Sequence, residues 1–435
     1  MQIENRRGYL TSFRCSPTNL KTTNMLTLKK AFKNKINAFP KDMAYFKQLG
    51  KNIKLPDTNL FKLTSIIGPE ELKNILSGAS REAFNVGEDF TKSQLTKSDY
   101  ENLAKRGFSF NLHIHTNHSD GMMSVKDLLE QASEYANTLK EINPSSRFII
   151  AITDHDTLES NKEALKIISK NPKKYENLGV VLGVELSAAY KNSEMFNSPL
   201  TYEMIAYSIN PFETSLNEDL LTLRNNRINL SKKIIESAKK LYPEYNFSYE
   251  ELCKTSKNPP KGINGFLYPI ANYLKDKTNG LKDIENLSLK YLPDMNNNVI
   301  INNIENIFSK MKNNFGFLGI AHPGKIFLGD GKIKNDFIKK CKSEKQDTGT
   351  VIIKRFLQYL KNIGGDKFNA METNYQSYFG LLKEAQNIIF NNKEVDKRIK
   401  DSVKWLNIFH NFVNENKLLN TGGLDSHSEN PFKKR

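Results

Sequence analysis

Three cysteines, Cys15, Cys253 and Cys341, are all that the 435 residues contain. They lie far apart and are odd in number, which argues against a disulfide framework or a cysteine-based zinc site and suits a reducing compartment. Long apolar runs are missing as well, and no stretch approaches the roughly 20 residues that a membrane span needs. The first 30 residues carry Arg6, Arg7, Arg14 and Lys21 but lack the apolar run of a secretory signal. Their basic, hydroxyl-rich texture is partly that of a transit peptide. A plain cytoplasmic start, with no membrane association, is the expectation.

Acidic residues are outnumbered, leaving a net charge of +16, and residues 1–50 hold ten Lys and Arg against Glu4 and Asp42. Such a leader can approach nucleic acid or another polyanion. Lys and Asn enrichment runs through the whole chain, however, and accounts for the charge more simply.

Histidine is scarce too, at seven residues, and its placement carries the argument. Residues 1–107 read as a polar, basic, mostly helical extension with short apolar patches such as 60–67. From Phe108 the texture changes to short apolar runs that each end in a residue able to bind a metal. Phe108–Ile114 alternates strictly, as a strand does, and period two puts His113 and His115 on one face. Ser124 then opens a helix, with Asp127 as its capping partner. A second strand, 148–153, ends in Asp154-His155-Asp156. A third, 180–184, ends at Glu185, and a fourth, 202–207, contains Glu203. Residues 211–310 break the rhythm with helical patterns and read as an inserted helical subdomain. Strands resume at 315–321, ending in His322, then at 368–371, ending in Glu372. The last, 418–424, delivers Asp425 and His427.

Seven strands, most separated by helices, predict parallel strands closed into a barrel with chemistry at their C-terminal ends. Each local pattern is weak by itself. Five of the seven histidines, though, stand at predicted strand ends with carboxylates beside them. Imidazole and carboxylate together suit Zn, Mn or Fe. Several ions on shared ligands can lower the pKa of bound water toward roughly 7 and clamp a phosphate.

The ordered motifs resemble those of the PHP (polymerase and histidinol phosphatase) superfamily. They are His113-Ile114-His115-Thr116-Asn117-His118-Ser119-Asp120-Gly121, Ile152-Thr153-Asp154-His155-Asp156-Thr157 and Gly183-Val184-Glu185-Leu186-Ser187, then Ala321-His322-Pro323-Gly324 and Gly423-Leu424-Asp425-Ser426-His427. The resemblance implies an α/β fold, a distorted (β/α)7 barrel over 108–430 with the helical insertion at 211–310. It implies up to three metals and phosphoester hydrolysis by a metal-bridging hydroxide. The ligands implied are His113, His115, Asp120, His155, Glu185, His322, Asp425 and His427, with Asp120, His155 and His427 also expected to serve catalysis. Glu203 stands where similar members carry a His, and is expected to be a ninth ligand.

Members with the I-T-D-H-D-T and A-H-P-G motifs act on nucleotides or RNA ends, so a phosphorylated small molecule or short nucleic acid is the expected substrate. Arg224 and Arg227 fit one arginine cluster of those members, as substrate contacts. The stretch 262–268 lacks the basic residues of a second. His118, His410 and Lys325 are expected to be structural or solvated, and Asp154 to orient a ligand from behind. Two other readings remain open: a histidinol-phosphate type metabolite phosphatase, and a degenerate barrel serving as a nucleic-acid-binding scaffold.

Overall fold

The computed structural model describes residues 25–79, 97–105, 107–197, 199–255, 267–278, 302–311, 314–323, 333–373 and 407–427. Its centre is a curled sheet in the order β1-β2-β3-β4-β6-β7-β8. The strands are β1 (Phe108–Ile114), β2 (Arg147–Ile152), β3 (Leu178–Tyr190), β4 (Leu200–Tyr207), β5 (Asn302–Asn303), β6 (Phe317–Ile320), β7 (Phe368–Glu372) and β8 (Leu419–Thr421). The two-residue β5 lies off this path and pairs with β3. The outer strands meet. Leu112 N–H donates to Gly422 O (3.1 Å), His115 N–H to Ser426 O (2.9 Å) and Ser426 N–H to His113 O (3.2 Å). This seam joins β1 to the chain that follows β8 and makes the sheet barrel-like.

One expectation about direction needs correcting. β4 runs antiparallel to both β3 and β6, whereas the remaining neighbours along the path are parallel. The cause is local: residues 191–199 between β3 and β4 contain no described helix. A parallel return needs a crossover of a dozen or more residues, so the chain folds back as a hairpin instead.

Curling gives the sheet two environments. Phe110, Ile149, Val181, Ile205, Phe317 and Ala370, from six of the strands, share one cluster with Leu72, Ile75 and Leu76 of helix Pro69–Ser77. Only the concave side can bring so many strands together, and that helix packs among them. The convex side is covered by helices. Val125–Ile142 and Glu159–Lys170 pack on β1–β3, while Ile304–Met311 and Thr348–Gly364 pack toward β4, β6 and β7. Ser124 caps the first of these helices by accepting from Asp127 N–H (3.1 Å), and its hydroxyl donates to Asp127 Oδ2 (2.6 Å).

The described part of the basic leader is structural. Helices Met25–Ala38 and Asp42–Asn52 bury Leu28, Phe32, Tyr45, Phe46 and Leu49 in the convex-side core. Ile67 N–H donates to Val180 O (2.9 Å), and Val180 N–H to Ser65 O (2.8 Å). Asp42 accepts from the backbone N–H groups of Glu70 (2.7 Å) and Glu71 (3.0 Å), satisfying the first turn of helix Pro69–Ser77. Lys35 is buried against Glu71 at 2.8 Å. Residues 1–24 lie outside the described residues.

Within 211–310 the described helices divide between two cores. The long helix Thr214–Leu241 puts Leu216, Leu220 and Leu223 into the barrel's outer layer. Its second half puts Leu230, Ile234 and Ala238 into a satellite core with helices Tyr249–Thr255 and Leu267–Lys277. Ile304–Met311 belongs to the barrel layer alone. No described helix is long and apolar enough to cross a membrane.

Candidate metal centre

Three groups of ligand-type residues meet at one end of the barrel. They are His115, Asp120, His155 and His427; His113, His115, Glu185 and Asp425; and His155, Glu185 and Glu203. Within each group the donor atoms lie within 4.8 Å of one another, near the span that metal–donor bonds of about 2.1 Å permit. The groups share His115, His155 and Glu185, so they form one continuous centre.

A β-bulge aims the first motif. Strand β1 pairs Asn111 with Ile150 but Ile114 with Ile152, so it carries one extra residue between them. Phe110 and Leu112 belong to the concave cluster, yet Ile114 belongs to the convex one. Simple alternation from Leu112 would send His113 outward. The bulge reverses the phase and brings His113 and His115 to the concave side. Asn111, at the bulge, accepts from Leu424 N–H (3.0 Å) and holds the last motif against the first.

Glu185 is the hub. Its Oε2 lies 3.1 Å from His113 Nε2 and 3.2 Å from both His115 Nε2 and His155 Nδ1. Its Oε1 lies 3.0 Å from His322 Nε2. Asp425 Oδ1 sits 3.2 Å from His115 Nε2, and Asp120 Oδ1 sits 3.2 Å from His427 Nε2. Glu203 reaches His322 (3.1 Å) and His155 (3.5 Å). Along β4, Ile205 and Tyr207 join the concave cluster while Tyr202, Met204 and Ala206 join the convex one, so Glu203 shares the inward phase. All nine residues expected as ligands are brought together, eight of them in the three groups and His322 against Glu185 and Glu203.

Groups behind the centre orient it. Glu372 is fully buried and faces His113 Nδ1 at 3.1 Å, while accepting from His322 N–H at 2.8 Å. The Asp425 carbonyl lies 2.9 Å from His427 Nδ1. The contacts at His113 Nδ1 and His427 Nδ1 occupy the rear nitrogen of each imidazole and turn Nε2 toward the cluster, the usual way a ligating His is fixed. Asp154 accepts from Thr116 N–H (2.7 Å), the Thr116 hydroxyl (2.7 Å) and the Ser119 hydroxyl (2.5 Å). It thereby shapes the turn that presents Asp120. The sequence left Glu372 undecided and gave no signal for Asn111, whose importance depends on a segment more than 300 residues later.

Three residues of the centre or beside it have left-handed backbones: Asp156 (φ 46°), His322 (φ 24°) and Asp425 (φ 50°). Such conformations cost of order 1–3 kcal/mol each and persist where the surroundings impose them.

The electrostatics call for cations. Burial opposes charge on His113, yet Glu185, Glu372 and Asp425 together hold its pKa well above the ordinary value. Burial likewise opposes charge on His115, but hydrogen bonds to Asp425 and Glu185 and the charge of Asp120 push it up to about 10. Burial would raise Asp120 and Glu185, but the surrounding histidines hold both below the ordinary carboxylate range. Protons thus occupy places that positive charge must fill, and metal binding at such ligands releases protons. A donor set of imidazoles and carboxylates without sulfur fits Mn, Fe or Zn.

Other candidates lie apart from the groups. His118 Nε2 pairs with Glu163 at 2.9 Å, and His410 belongs to none of the three groups. Lys325 and residues 262–266 are outside the described residues. The two arginines differ in setting. Arg224 is half-buried within electrostatic range of Tyr249. Arg227, only 2% exposed, donates to Asp156 Oδ2 and to the Ser187 hydroxyl. Its guanidinium is engaged by the protein itself.

No protein-family profile matches the chain, and no curated protein matches it. Among solved structures, a chain from Bifidobacterium adolescentis, provisionally assigned as a metal-dependent phosphoesterase, aligns over 74% of this chain and 89% of its own length, at 17% identity and a TM-score of 0.45. An amidohydrolase from Chromobacterium violaceum, solved with bound sulfate and no metal, aligns over 75% of this chain and 93% of its own length, at 16% identity and a TM-score of 0.44.

Proposed function

We propose that this chain is a metal-dependent phosphoesterase of the PHP type, cleaving phosphomonoesters or terminal phosphodiesters of nucleotides or short oligonucleotides. The observation that carries the reading is one buried carboxylate, Glu185, within 3.2 Å of four imidazole nitrogens drawn from three separate segments. Two or three divalent ions would be held by His113, His115, Asp120, His155, Glu185, Glu203, His322, Asp425 and His427. Bound there, they would supply Lewis-acid polarisation of a phosphoryl oxygen and activation of water.

Accessibility gives the centre a direction. The side chains of His113, His115 and Glu185 are fully buried, His155 is 12% exposed and Glu203 is 32% exposed. Substrate therefore approaches from the His155 and Glu203 side, across Asp120 and His427. Burial and the neighbouring His115 push the His427 pKa down, which favours the neutral imidazole; its Nδ1 faces the Asp425 carbonyl and so carries the proton, leaving the Nε2 lone pair free to bind a cation. Arg224 is proposed to hold substrate oxygens, and the leader, residues 1–50, to approach a polyanion.

Anaerobic loading with Mn(II) or Fe(II), followed by elemental analysis and a phosphoester panel, tests the reading. At least two ions per chain and turnover of a nucleotide ester are expected. Fewer than one ion per chain, or hydrolysis of carboxylic esters and amides alone, would sink it.

Glu203 gives a separate check. Its carboxylate makes this corner harder than a His would and should favour Mn or Fe over Zn. Glu203→Gln is expected to lower metal content or activity, and Glu203→His to retain much of both. Unchanged metal content and kinetics in Glu203→Ala would place the residue outside the centre.

A further inference from the structure

Arg227 stands at an unusual point of the long helix. Before it, Leu216, Leu220 and Leu223 pack on the barrel; after it, Leu230 and Ile234 pack in the satellite core. Between these halves the helix sends one buried guanidinium toward the strand ends. Its partners are not arbitrary. Asp156 directly follows His155, and Ser187 follows Glu185 by two residues on β3. Ser187 is also the cross-strand partner of Glu203 in the β3–β4 pairing.

The Asp156 carboxylate accepts from Ser187 N–H (2.9 Å) and from the Ser187 hydroxyl (2.8 Å), while Asp156 N–H donates to Glu185 O (2.8 Å). Arg227 donates to Asp156 and also to Ser187 Oγ (2.9 Å). One network therefore touches the backbone beside each member of the group His155, Glu185 and Glu203, and beside no member of the other groups except the shared His155 and Glu185. It also holds Asp156 in its left-handed conformation.

We infer that Arg227 is a positioning residue that fixes the His155–Glu185–Glu203 cation site and couples its geometry to the helical subdomain. The inference rests on the metal centre proposed above and extends it. A buried carboxylate needs a cationic partner, and one Arg227 nitrogen, Nη2, meets both acceptors at once, held in place by a rigid planar group where the flexible stem of Lys would hold its ammonium less firmly. Without Arg227, Asp156 is left as a buried charge held only by Ser187, and the strand ends that present His155 and Glu203 lose their common anchor.

The test uses the full chain and Mn(II) alone, by equilibrium dialysis, with thermal unfolding of the metal-free protein alongside. Arg227→Met is expected to raise the Kd of one Mn(II) by at least about tenfold while the tighter ions remain, because partners behind a metal site typically contribute about 10–100-fold. Arg227→Lys should recover part of the loss. With Asp156→Asn added, the loss should be less than the sum of the single losses, since both act through one pair. Should Arg227→Met fail to fold, Ser187→Ala removes one arm without stranding a charge and should weaken the same ion in the same sense.

Native Mn(II) affinity in Arg227→Met, with a raised KM for a small phosphoester and unchanged kcat, would overturn the inference and make Arg227 a substrate contact. Native affinity in both Ser187→Ala and Arg227→Lys would overturn it as well. A wild-type chain that binds no Mn(II), Fe(II) or Zn(II) would instead remove the metal centre itself, a failure readable without any variant.

Discussion

Glu185→Gln is expected to lower kcat for a phosphoester by at least about a hundredfold and to reduce bound metal in the same preparation. The substitution keeps size and shape but removes the charge at the hub. Oε2 lies within 3.2 Å of His113, His115 and His155, and the side chain is fully buried, so water cannot replace what is lost. His113 and His115 also hold their protons partly because of this carboxylate. In the variant their pKa values should fall, which NMR of the metal-free protein can follow. Elemental analysis and single-turnover kinetics on the loaded protein complete the measurement. Near wild-type turnover with full metal would mean that Glu185 is a structural acid beside a centre located elsewhere.

The second large effect is expected at a position with no side chain. A Cβ on Gly423 would lie 2.5 Å from His113 Cβ and 2.6 Å from His113 N. The neighbour is partly backbone of the first motif and cannot yield without moving His113. Overpacking of this kind costs about 1–3 kcal/mol and sometimes more. Gly423→Ala is therefore expected to lower the Tm of the metal-free protein by several degrees and to abolish tight metal binding. Gly78→Ala is the matched control, since its nearest atom, Ile75 O, would be 3.9 Å away. That change should stay within about 0.5 kcal/mol. Equal behaviour of the two variants would show that the seam between His113 and Gly423 is looser than its geometry implies.

The proposed ligands were more legible in the sequence than the residues behind them. Histidine at strand ends was legible because an imidazole or carboxylate in an apolar run has few other reasons to be there. Glu203 was legible from period two, since Ile205 and Tyr207 fix the inward phase of β4. Strand direction was not: alternation looks the same in a parallel and an antiparallel strand, so the hairpin of β3 and β4 left no mark beyond a short link. The bulge in β1 was hidden for a related reason. Phe108–Ile114 alternates cleanly, and only the partner strand reveals the extra residue. Glu372 and Asn111 were weak signals because each acts through another residue across the barrel. Arg227 reads from the sequence as a substrate contact, whereas the structure buries it against Asp156 and Ser187. Its buried partners could not be seen from a helix whose two halves join different cores.

The seam has a consequence for how such a molecule can be made. Asn111 and Leu424 are joined across 313 residues, and Asp425 and His427 enter the centre from the same late segment. During synthesis His113, His115, His155 and Glu185 emerge long before the residues that complete two of the three groups. Pairings this distant form slowly, and until they do, an incomplete cluster of buried acids has neither its partners nor its cations. In the proposed centre, metal capture would be tied to the closing of this seam, and full occupancy would report that residues 422–427 have reached β1. A ribosome-stalled nascent chain ending before Gly422 should bind Mn(II) poorly, and release of the full chain should produce the affinity in one step.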